Sequence, residues 1–309
     1  MTNTGNDAPQ ENFISRLAAN RFLPLVFLFV VLALVVGVRV RLADRPLERD
    51  EGEYAYAGQL LLKGIPPYQA AYNMKWPGTY VSYAIIMALF GRTTAAIHFG
   101  LILITVTTAG VVCLVGKRML GVWGGAVAAA SFALLSISPA TFGLSTHATH
   151  FVVFFALLGV YALQNVAGHR SRLCLFVAGA LFGVATIMKQ SGAAFVVFGL
   201  FWIMVSAKID GQWSQGVLRC GWLIAGTVAP MTVMFGAILW AGVWPMFWHW
   251  TFEYAHSYAT LTSFSQAAQN LSDSLGALAR TDGGLLGVAA IGGIMLFSSS
   301  VERRWKTFI

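Results

Sequence analysis

Charged residues are scarce in this chain, and their scarcity excludes an ordinary soluble domain. Only 10% of the 309 residues are Asp, Glu, Lys or Arg, whereas 57% are hydrophobic; soluble domains carry about 25% charged residues. We therefore expect an all-α, polytopic integral membrane protein. The net charge of +8 is then explained by membrane orientation and anionic lipid headgroups, and no nucleic-acid partner is expected.

Cysteine and the common catalytic motifs are also lacking. The three cysteines, Cys113, Cys174 and Cys220, show no CxxC spacing and lie in or beside apolar segments, which argues against a disulfide framework or a zinc knuckle. The sequence contains no P-loop, no dinucleotide-binding glycine fingerprint, no GxSxG elbow and no HExxH motif. Nucleotide-dependent, serine-hydrolase and zinc-protease chemistry therefore have no support.

Apolar segments fill most of the chain and predict about eight transmembrane helices. About 20 residues cross the hydrocarbon core at 1.5 Å per residue, and these segments reach or approach that length. If the spans alternate, four basic clusters fall on one side, which is then cytoplasmic, as is the N-terminus. The predicted spans are residues 22–40, 95–116, 122–138, 149–166, 173–188, 192–207, 220–241 and 283–299.

Two polar stretches divide the predicted transmembrane domain of residues 22–309, which follows a cytoplasmic N-terminal tail of residues 1–21. The first outer loop covers residues 41–94 and is the expected catalytic loop. It contains an amphipathic segment that is too short to span and is expected to lie along the interface. The second outer loop, 242–282, opens with aromatic residues typical of the headgroup level.

Acidic residues are concentrated in the first outer loop. Five of the 12 lie between Asp44 and Glu53, and a chain that avoids charge elsewhere is expected to use such a group. Asp50 has two interpretations: a helix N-cap with Glu53 as its N3 partner, or a general base that activates an acceptor hydroxyl or amine. The two roles are compatible, because a helix N-terminus keeps a carboxylate ionised. Glu51 would position the acceptor or hold Asp50.

Three basic residues are candidates for binding a phosphate. A lysine at a membrane boundary most often only extends its ammonium group to the interface. Lys75 and Lys189, however, are both expected at the outer face, where the positive-inside rule disfavours cations. Together with Arg49 they would provide cationic partners for a lipid phosphate.

Histidine and glutamate residues form a second candidate group. His147 and His150 lie three residues apart at an outer turn, while His249, Glu253 and His256 are spaced to share one helix face. Together they could form a metal site or a polar acceptor cleft, or they could be interfacial polar residues without chemistry. Such sets give many false positives without a tight motif. The sequence identifies no definite cofactor, and a divalent metal ion is an alternative.

The order of several motifs resembles a known family. The motifs follow the first span and are placed at span ends, over roughly residues 20 to 260. They are Arg49-Asp50-Glu51, Tyr54-Ala55, Pro66-Pro67-Tyr68, Lys75-Trp76-Pro77-Gly78, Phe90-Gly91, Gly116 to Gly121, Leu135 to Pro139 and Met188-Lys189-Gln190. In this order the chain is similar to the protein mannosyltransferase and aminoarabinose transferase group of GT-C glycosyltransferases.

The resemblance implies that a sugar is transferred from a polyprenyl phosphate at the extracytoplasmic face, with inversion. Asp50 would be the base and Glu51 its neighbour, and the acceptor would be a protein, a lipid or a glycan. We expect the bacterial inner (plasma) membrane as the location. Trp76-Pro77 stands where the family commonly has Pro-Pro, so the donor and the acceptor both stay open.

Two alternatives accompany this interpretation. Members of the group are commonly longer, so the chain could be a short member, a truncated one or one half of a complex. It could then be a non-catalytic polyprenyl-lipid binding or translocating subunit of an envelope-glycan complex. An ion-coupled transporter is disfavoured, because its ionisable residues would lie near the middle of the membrane.

Overall fold

The computed structural model describes residues 22–166 and 171–296, and every regular element in these ranges is helical. Among these residues five helices are long and apolar enough to cross a membrane. The prediction of an all-α membrane protein is thereby confirmed, whereas the number of eight spans stays a prediction. The tail 1–21 lies outside the described residues, as does the end of the predicted span 283–299.

The helices follow one another with short connections. They are α1 (Leu23–Arg41), α2 (Arg49–Leu62), α3 (Gly78–Phe90), α4 (Thr94–Leu135), α5 (Ala148–Leu163), α6 (Ser171–Met188), α7 (Ala193–Ile209), α8 (Trp213–Trp240), α9 (Trp244–Trp248), α10 (Ala255–Thr260) and α11 (Phe264–Leu296). Short 3-10 turns lie at Pro139–Thr141 and Gln190–Gly192, and a π-helix at His249–Tyr254.

Helix α4 consists of two arms that fold back on each other. Gly121 has φ 81° and ψ −178°, which is not helical. A straight helix would separate Gly116 from Gly125 by about 13 Å, yet a Cβ on Gly116 would lie 3.0 Å from Gly125 Cα. The arms therefore form an antiparallel hairpin. Its reversal coincides with the predicted break between the spans 95–116 and 122–138.

Helix α3 is less amphipathic than the sequence suggested. It buries Tyr83 and Met87 in the core, but Val81, Ile85 and Leu89 are exposed on its other side. Both faces are therefore apolar, and the expectation of a polar face is wrong. Such a helix is suited to contact with lipid on its outer side.

The start of α3 meets the end of α6. Thr79 Oγ1 donates a hydrogen bond to the Met188 carbonyl oxygen at 2.7 Å. A Cβ on Gly78 would lie 2.7 Å from the Ile187 carbonyl oxygen, so only glycine permits this approach. The contact brings the polar residues before α3 next to those after α6.

The segment 136–147, which joins α4 to α5, is fixed by the end of α1. The buried Arg39 donates from its Nη2 to the carbonyl oxygens of Ser136 at 2.6 Å and Gly143 at 2.9 Å. Ser138 Oγ also donates to Asp282 Oδ2 at 2.6 Å, which attaches α11 to this segment. The segment thus forms a fixed wall beside the start of α2.

Candidate functional site

A capping box starts α2 and determines which carboxylates are free. Glu48 accepts a hydrogen bond from the Asp50 amide at 2.8 Å, and Glu51 Oε2 accepts one from the Glu48 amide at 2.9 Å. Glu48 is therefore the N-cap and Glu51 the N3 residue. The alternative with Asp50 as the cap and Glu53 at N3 is wrong, because the helix already begins at Arg49. The Asp50 carboxylate consequently takes no part in capping.

The Asp50 carboxylate lies at the edge of the site, with 26% of its side chain exposed. Tyr54 donates its hydroxyl proton to Asp50 Oδ2 at 3.3 Å, and His147 Nδ1 lies 3.9 Å from the same oxygen. Burial, followed by the charge of Asp50, raises the pKa of Tyr54 well above its ordinary value, so Tyr54 acts as a donor. Asp50 therefore keeps lone pairs available to accept a proton.

Glu51 lies in the opposite environment, with its side chain fully buried. Its Oε1 accepts a hydrogen bond from the Thr146 amide at 2.5 Å and lies 3.3 Å from His98 Nε2, while Arg45 Nη2 lies 3.8 Å from Oε2. Burial raises its pKa, but the contacts with His98, the Glu48 amide and the Thr146 amide outweigh burial and lower the pKa to about 2. Glu51 is thus an ionised group that cannot contact a substrate.

His98 is a site residue that the sequence analysis did not identify. Its Nδ1 lies 2.6 Å from the Ala43 carbonyl oxygen, and a carbonyl oxygen can only accept, so Nδ1 carries a proton. Its other nitrogen faces Glu51. The one local signal was a histidine in the apolar run that follows Thr93, the N-cap of α4.

Lys75 and Lys189 are brought together by the contact between α3 and α6. Burial and the charge of Lys189 lower the pKa of Lys75, whereas the charge of Asp50 acts in the opposite direction. The hydroxyls of Tyr68 and Tyr80 donate to the Lys75 carbonyl oxygen at 2.8 and 3.2 Å and fix its backbone. Within the described ranges neither lysine forms an ion pair with a carboxylate. Lys75 is thus influenced both by Lys189 and by the candidate base.

Arg49, the third candidate for phosphate binding, belongs to the same helical turn as Asp50. Its side chain is 88% exposed, and Nη2 lies 3.4 Å from Asp50 Oδ1. A guanidinium group held so loosely can reach an incoming anion without breaking a buried contact.

His147 clusters with the acidic residues of the first loop and not with the predicted histidines of the second loop. Its Nε2 lies 4.0 Å from Glu48 Oε2, and its Nδ1 faces Asp50. One ligand atom from each of the three residues lies within 4.8 Å of the others. This mixed oxygen and nitrogen set has the spacing and chemistry to hold a divalent cation.

The second polar loop contains a polar pair of its own. His249 Nδ1 and Glu253 Oε2 are 2.8 Å apart, with both side chains more than half exposed. The π-helix changes the helical periodicity here, and His256 does not join the pair in a cluster. In the part of the chain that the structure describes, Glu48, Asp50 and His147 are the only three residues spaced as metal ligands.

A cavity of about 450 Å³ opens beside His147. It lies between the two arms of α4, the segment 136–147 and the start of α5, and its volume falls in the range of small-molecule sites. His150 lines it as well, so the structure brings the two predicted histidines of this turn into one space. The other polar lining residues include Thr105, Thr108, Ser136 and Thr149.

Comparison with known proteins gives one match. A family model described as dolichyl-phosphate-mannose-protein mannosyltransferase matches residues 77–240, which is 164 of the 309 residues. The matched region contains Lys189, His147 and the cavity, whereas Asp50 and Glu51 precede it. No curated protein and no solved structure matches the chain.

Proposed function

The chain belongs to the dolichyl-phosphate-mannose-protein mannosyltransferase family, and on this premise we propose that it transfers a sugar from a polyprenyl-phosphate donor to an acceptor hydroxyl or amine. The family and the apolar helices make it an integral membrane glycosyltransferase of GT-C type. The observation that supports this assignment is the partly exposed Asp50 carboxylate, whose charge acts on Lys75, together with Lys189, whose charge also acts on Lys75. We place the reaction at the extracytoplasmic face of a bacterial inner membrane, with the N-terminus in the cytoplasm.

In the proposed reaction Asp50 is the general base. It takes the proton from the acceptor as the acceptor oxygen or nitrogen forms a bond with the anomeric carbon of the sugar. The bond between that carbon and the lipid-phosphate oxygen breaks, and the phosphate leaves with the electron pair. Attack opposite the leaving group inverts the anomeric configuration. Phosphate is a good leaving group at neutral pH, so no general acid is needed.

The lysine pair has the role of stabilising the leaving phosphate. Negative charge grows on the phosphate oxygen as the bond breaks, and fixed cations lower the energy of that transition state. The carbonyl of Lys75 is held by two tyrosine hydroxyls, so its ammonium group starts from a fixed backbone. Arg49 adds a mobile cation on the same side as the base.

Glu51 has a positioning role in this scheme. It fixes the first turn of α2 through the Glu48 amide and joins that turn to the segment 136–147 through the Thr146 amide. Asp50 directly precedes Glu51 in this turn. Its position relative to His147 therefore depends on Glu51.

The experiment that tests the proposal compares Asp50→Asn with Asp44→Asn in purified membranes. Asp44 is an exposed acid of the same loop and is the matched control. The donors are radiolabelled polyprenyl-phosphate hexoses and pentoses, and the native envelope is the acceptor. We expect Asp50→Asn to lose roughly 10²- to 10⁴-fold in transfer rate and Asp44→Asn to behave as the wild type.

Near-normal transfer by Asp50→Asn would remove Asp50 as the base. Donor lipid that is retained by the wild type, with no transfer to any acceptor, would contradict the enzyme and support a lipid-binding or translocating subunit. A matching loss in both variants would point to the charge of the loop and not to a particular carboxylate.

A further inference from the structure

We propose that the cavity beside His147 binds the acceptor, and that this acceptor is a neutral lipid carrying a hydroxyl group. The proposal rests on the proposed function and names the second substrate of the same site. His147 lines the cavity, and its Nδ1 lies 3.9 Å from Asp50 Oδ2. A molecule in the cavity would present its polar end to the candidate base.

An unpaired hydroxyl group inside the cavity points to a ligand. Thr105 is 2% exposed, and its Oγ1 has no hydrogen-bond partner among the described residues. Thr108, one turn further along α4, instead donates its hydroxyl proton to the Ile104 carbonyl oxygen at 2.6 Å. Buried hydroxyls are nearly always paired, so the Thr105 hydroxyl is best explained by an oxygen of a bound molecule.

The lining of the cavity determines the charge of that molecule. It contains no lysine, arginine, aspartate or glutamate, and most of the wall is apolar. His147 and His150 are its titratable lining residues, so an ionised group placed there would lose hydration without gaining a permanently charged partner. The phosphate of the donor therefore fits the lysine pair, Lys75 and Lys189, and the cavity fits a neutral molecule.

The wall of the cavity favours a lipid over a peptide or a free sugar. Thr105 and Thr108 belong to the first arm of α4, in a helix long and apolar enough to span the membrane, and the exposed area of the cavity wall is mostly apolar. A molecule that extends from Asp50 to these residues needs a polar end and an apolar body.

Phe142 supplies an apolar surface at the mouth of the cavity. Its φ of 51° is in the left-handed region, which costs energy for a bulky residue and is most often seen at functional sites. The ring is exposed and lies edge-on to the His147 ring, with centroids 6.2 Å apart. The acceptor hydroxyl would thus meet Asp50 between an aromatic ring and an imidazole. Its proton passes to Asp50 as its oxygen bonds the anomeric carbon.

The test measures binding and does not depend on transfer. The probe is a diazirine-bearing alkyl glucoside, added to the purified full-length protein in lipid nanodiscs, irradiated and located by mass spectrometry. We expect cross-links to residues that line the cavity. Thr105→Val keeps the shape and removes the hydroxyl, and we expect it to weaken labelling about fivefold.

Thr107→Val is the matched control, because Thr107 is exposed on the same helix and donates its hydroxyl proton to its own helix backbone. We expect it to label as the wild type. Val153→Trp fills the cavity and should abolish labelling. If that variant does not fold, the comparison of labelling between Thr105→Val and the wild type decides whether the probe binds in the cavity.

Three results would overturn the proposal. Equal labelling of Thr105→Val and the wild type would show that the cavity is not the binding site. Displacement of the probe by unlabelled polyprenyl phosphate would assign the cavity to the donor chain, and displacement by a serine-containing peptide would assign it to a protein acceptor. Probe binding that depends on Thr105, in a protein without transfer activity, would contradict the proposed function but keep the neutral-lipid site.

Discussion

The two polar loops of this protein have similar charged groups but hold them differently. In the first loop, residues 41–94, Glu51 is fully buried and receives a hydrogen bond from Thr146, which is 95 residues away in the chain. In the second loop, 242–282, His249 and Glu253 pair within one helix and remain exposed. The first loop is thus fixed to the rest of the fold by its charges. The second loop is attached by aromatic contacts, such as Tyr72 stacked on Trp250 at 4.6 Å, and by one carboxylate at its very end, Asp282, which accepts from Ser138.

The difference teaches that a short contact is not by itself a strong one. His249 and Glu253 approach to 2.8 Å, closer than the 3.3 Å between His98 and Glu51. The exposed pair is screened by water and contributes at most about 1 kcal/mol. Removing one partner of a buried pair costs about 3–5 kcal/mol, because the other charge is left without compensation. Four predictions test this contrast.

Glu51→Gln should have the largest effect on stability. The two carboxylate oxygens accept from the amides of Thr146 and Glu48, and a glutamine offers only one oxygen, so its NH₂ group would face a donor. We expect a loss of roughly 3 kcal/mol in the free energy of unfolding together with impaired transfer. Denaturant unfolding in detergent measures it, with Glu253→Gln as the control. Equal stability of the two variants would contradict the contrast.

Acid should lower the free energy of unfolding, because it protonates Glu51 in the first loop. The pKa of Glu51 in the folded protein is about 2, below the ordinary value of 4.5. Its contribution to stability is therefore complete above pH 4.5 and is lost as the pH falls toward 2, by roughly 3 kcal/mol in total. Unfolding measured between pH 6 and pH 3 should show this slope. The slope should flatten in Glu51→Gln, and an unchanged slope would exclude Glu51 as its source.

Lys75→Ala and Lys189→Ala should each raise the KM for the donor by roughly tenfold, because each removes a charge-assisted contact with the phosphate. Lys63→Ala is the control, since Lys63 is an exposed lysine of the same loop. Transfer rates at varied donor concentration measure the effect. A donor KM that rises equally in all three variants would indicate general attraction to anionic lipid and not a phosphate site.

His249→Asn and Glu253→Gln should have the smallest effect, within about twofold of wild-type transfer and 0.5 kcal/mol of its stability. The same membrane assay and unfolding measurement apply. A loss near that of Asp50→Asn would mean that the second loop closes over the site during the reaction, which would reverse the contrast between the loops.

Much of the fold was accessible from the sequence, because the length of an apolar span is a local signal. The break between the predicted spans 95–116 and 122–138, where the chain reverses near Gly121, follows from this signal. The different environments of Asp50 and Glu51 could not be predicted, since neighbouring residues of one helical turn face partners from distant segments. Which carboxylate is buried depends on His98 and Thr146.

Prediction of the site residues from the sequence was limited in the same way. Lys75 and Lys189 were selected for their type and their expected side of the membrane, whereas their proximity depends on the approach that Gly78 permits. His147 was grouped with the second loop but lies beside Glu48. Short spacing in the sequence cannot reveal pairs that form only when α2 packs against the segment 136–147.

Arg39 has a consequence for the order in which the protein is made. It leaves the ribosome with the first span, but its acceptors Ser136 and Gly143 follow 97 and 104 residues later. At about 5–20 residues per second this delay is roughly 5–20 s. Throughout that time the Arg39 guanidinium must stay hydrated at the membrane boundary, because the α4 hairpin has not yet been inserted beside α1. Asp50 is therefore synthesised early, and the wall that faces it follows only later in translation.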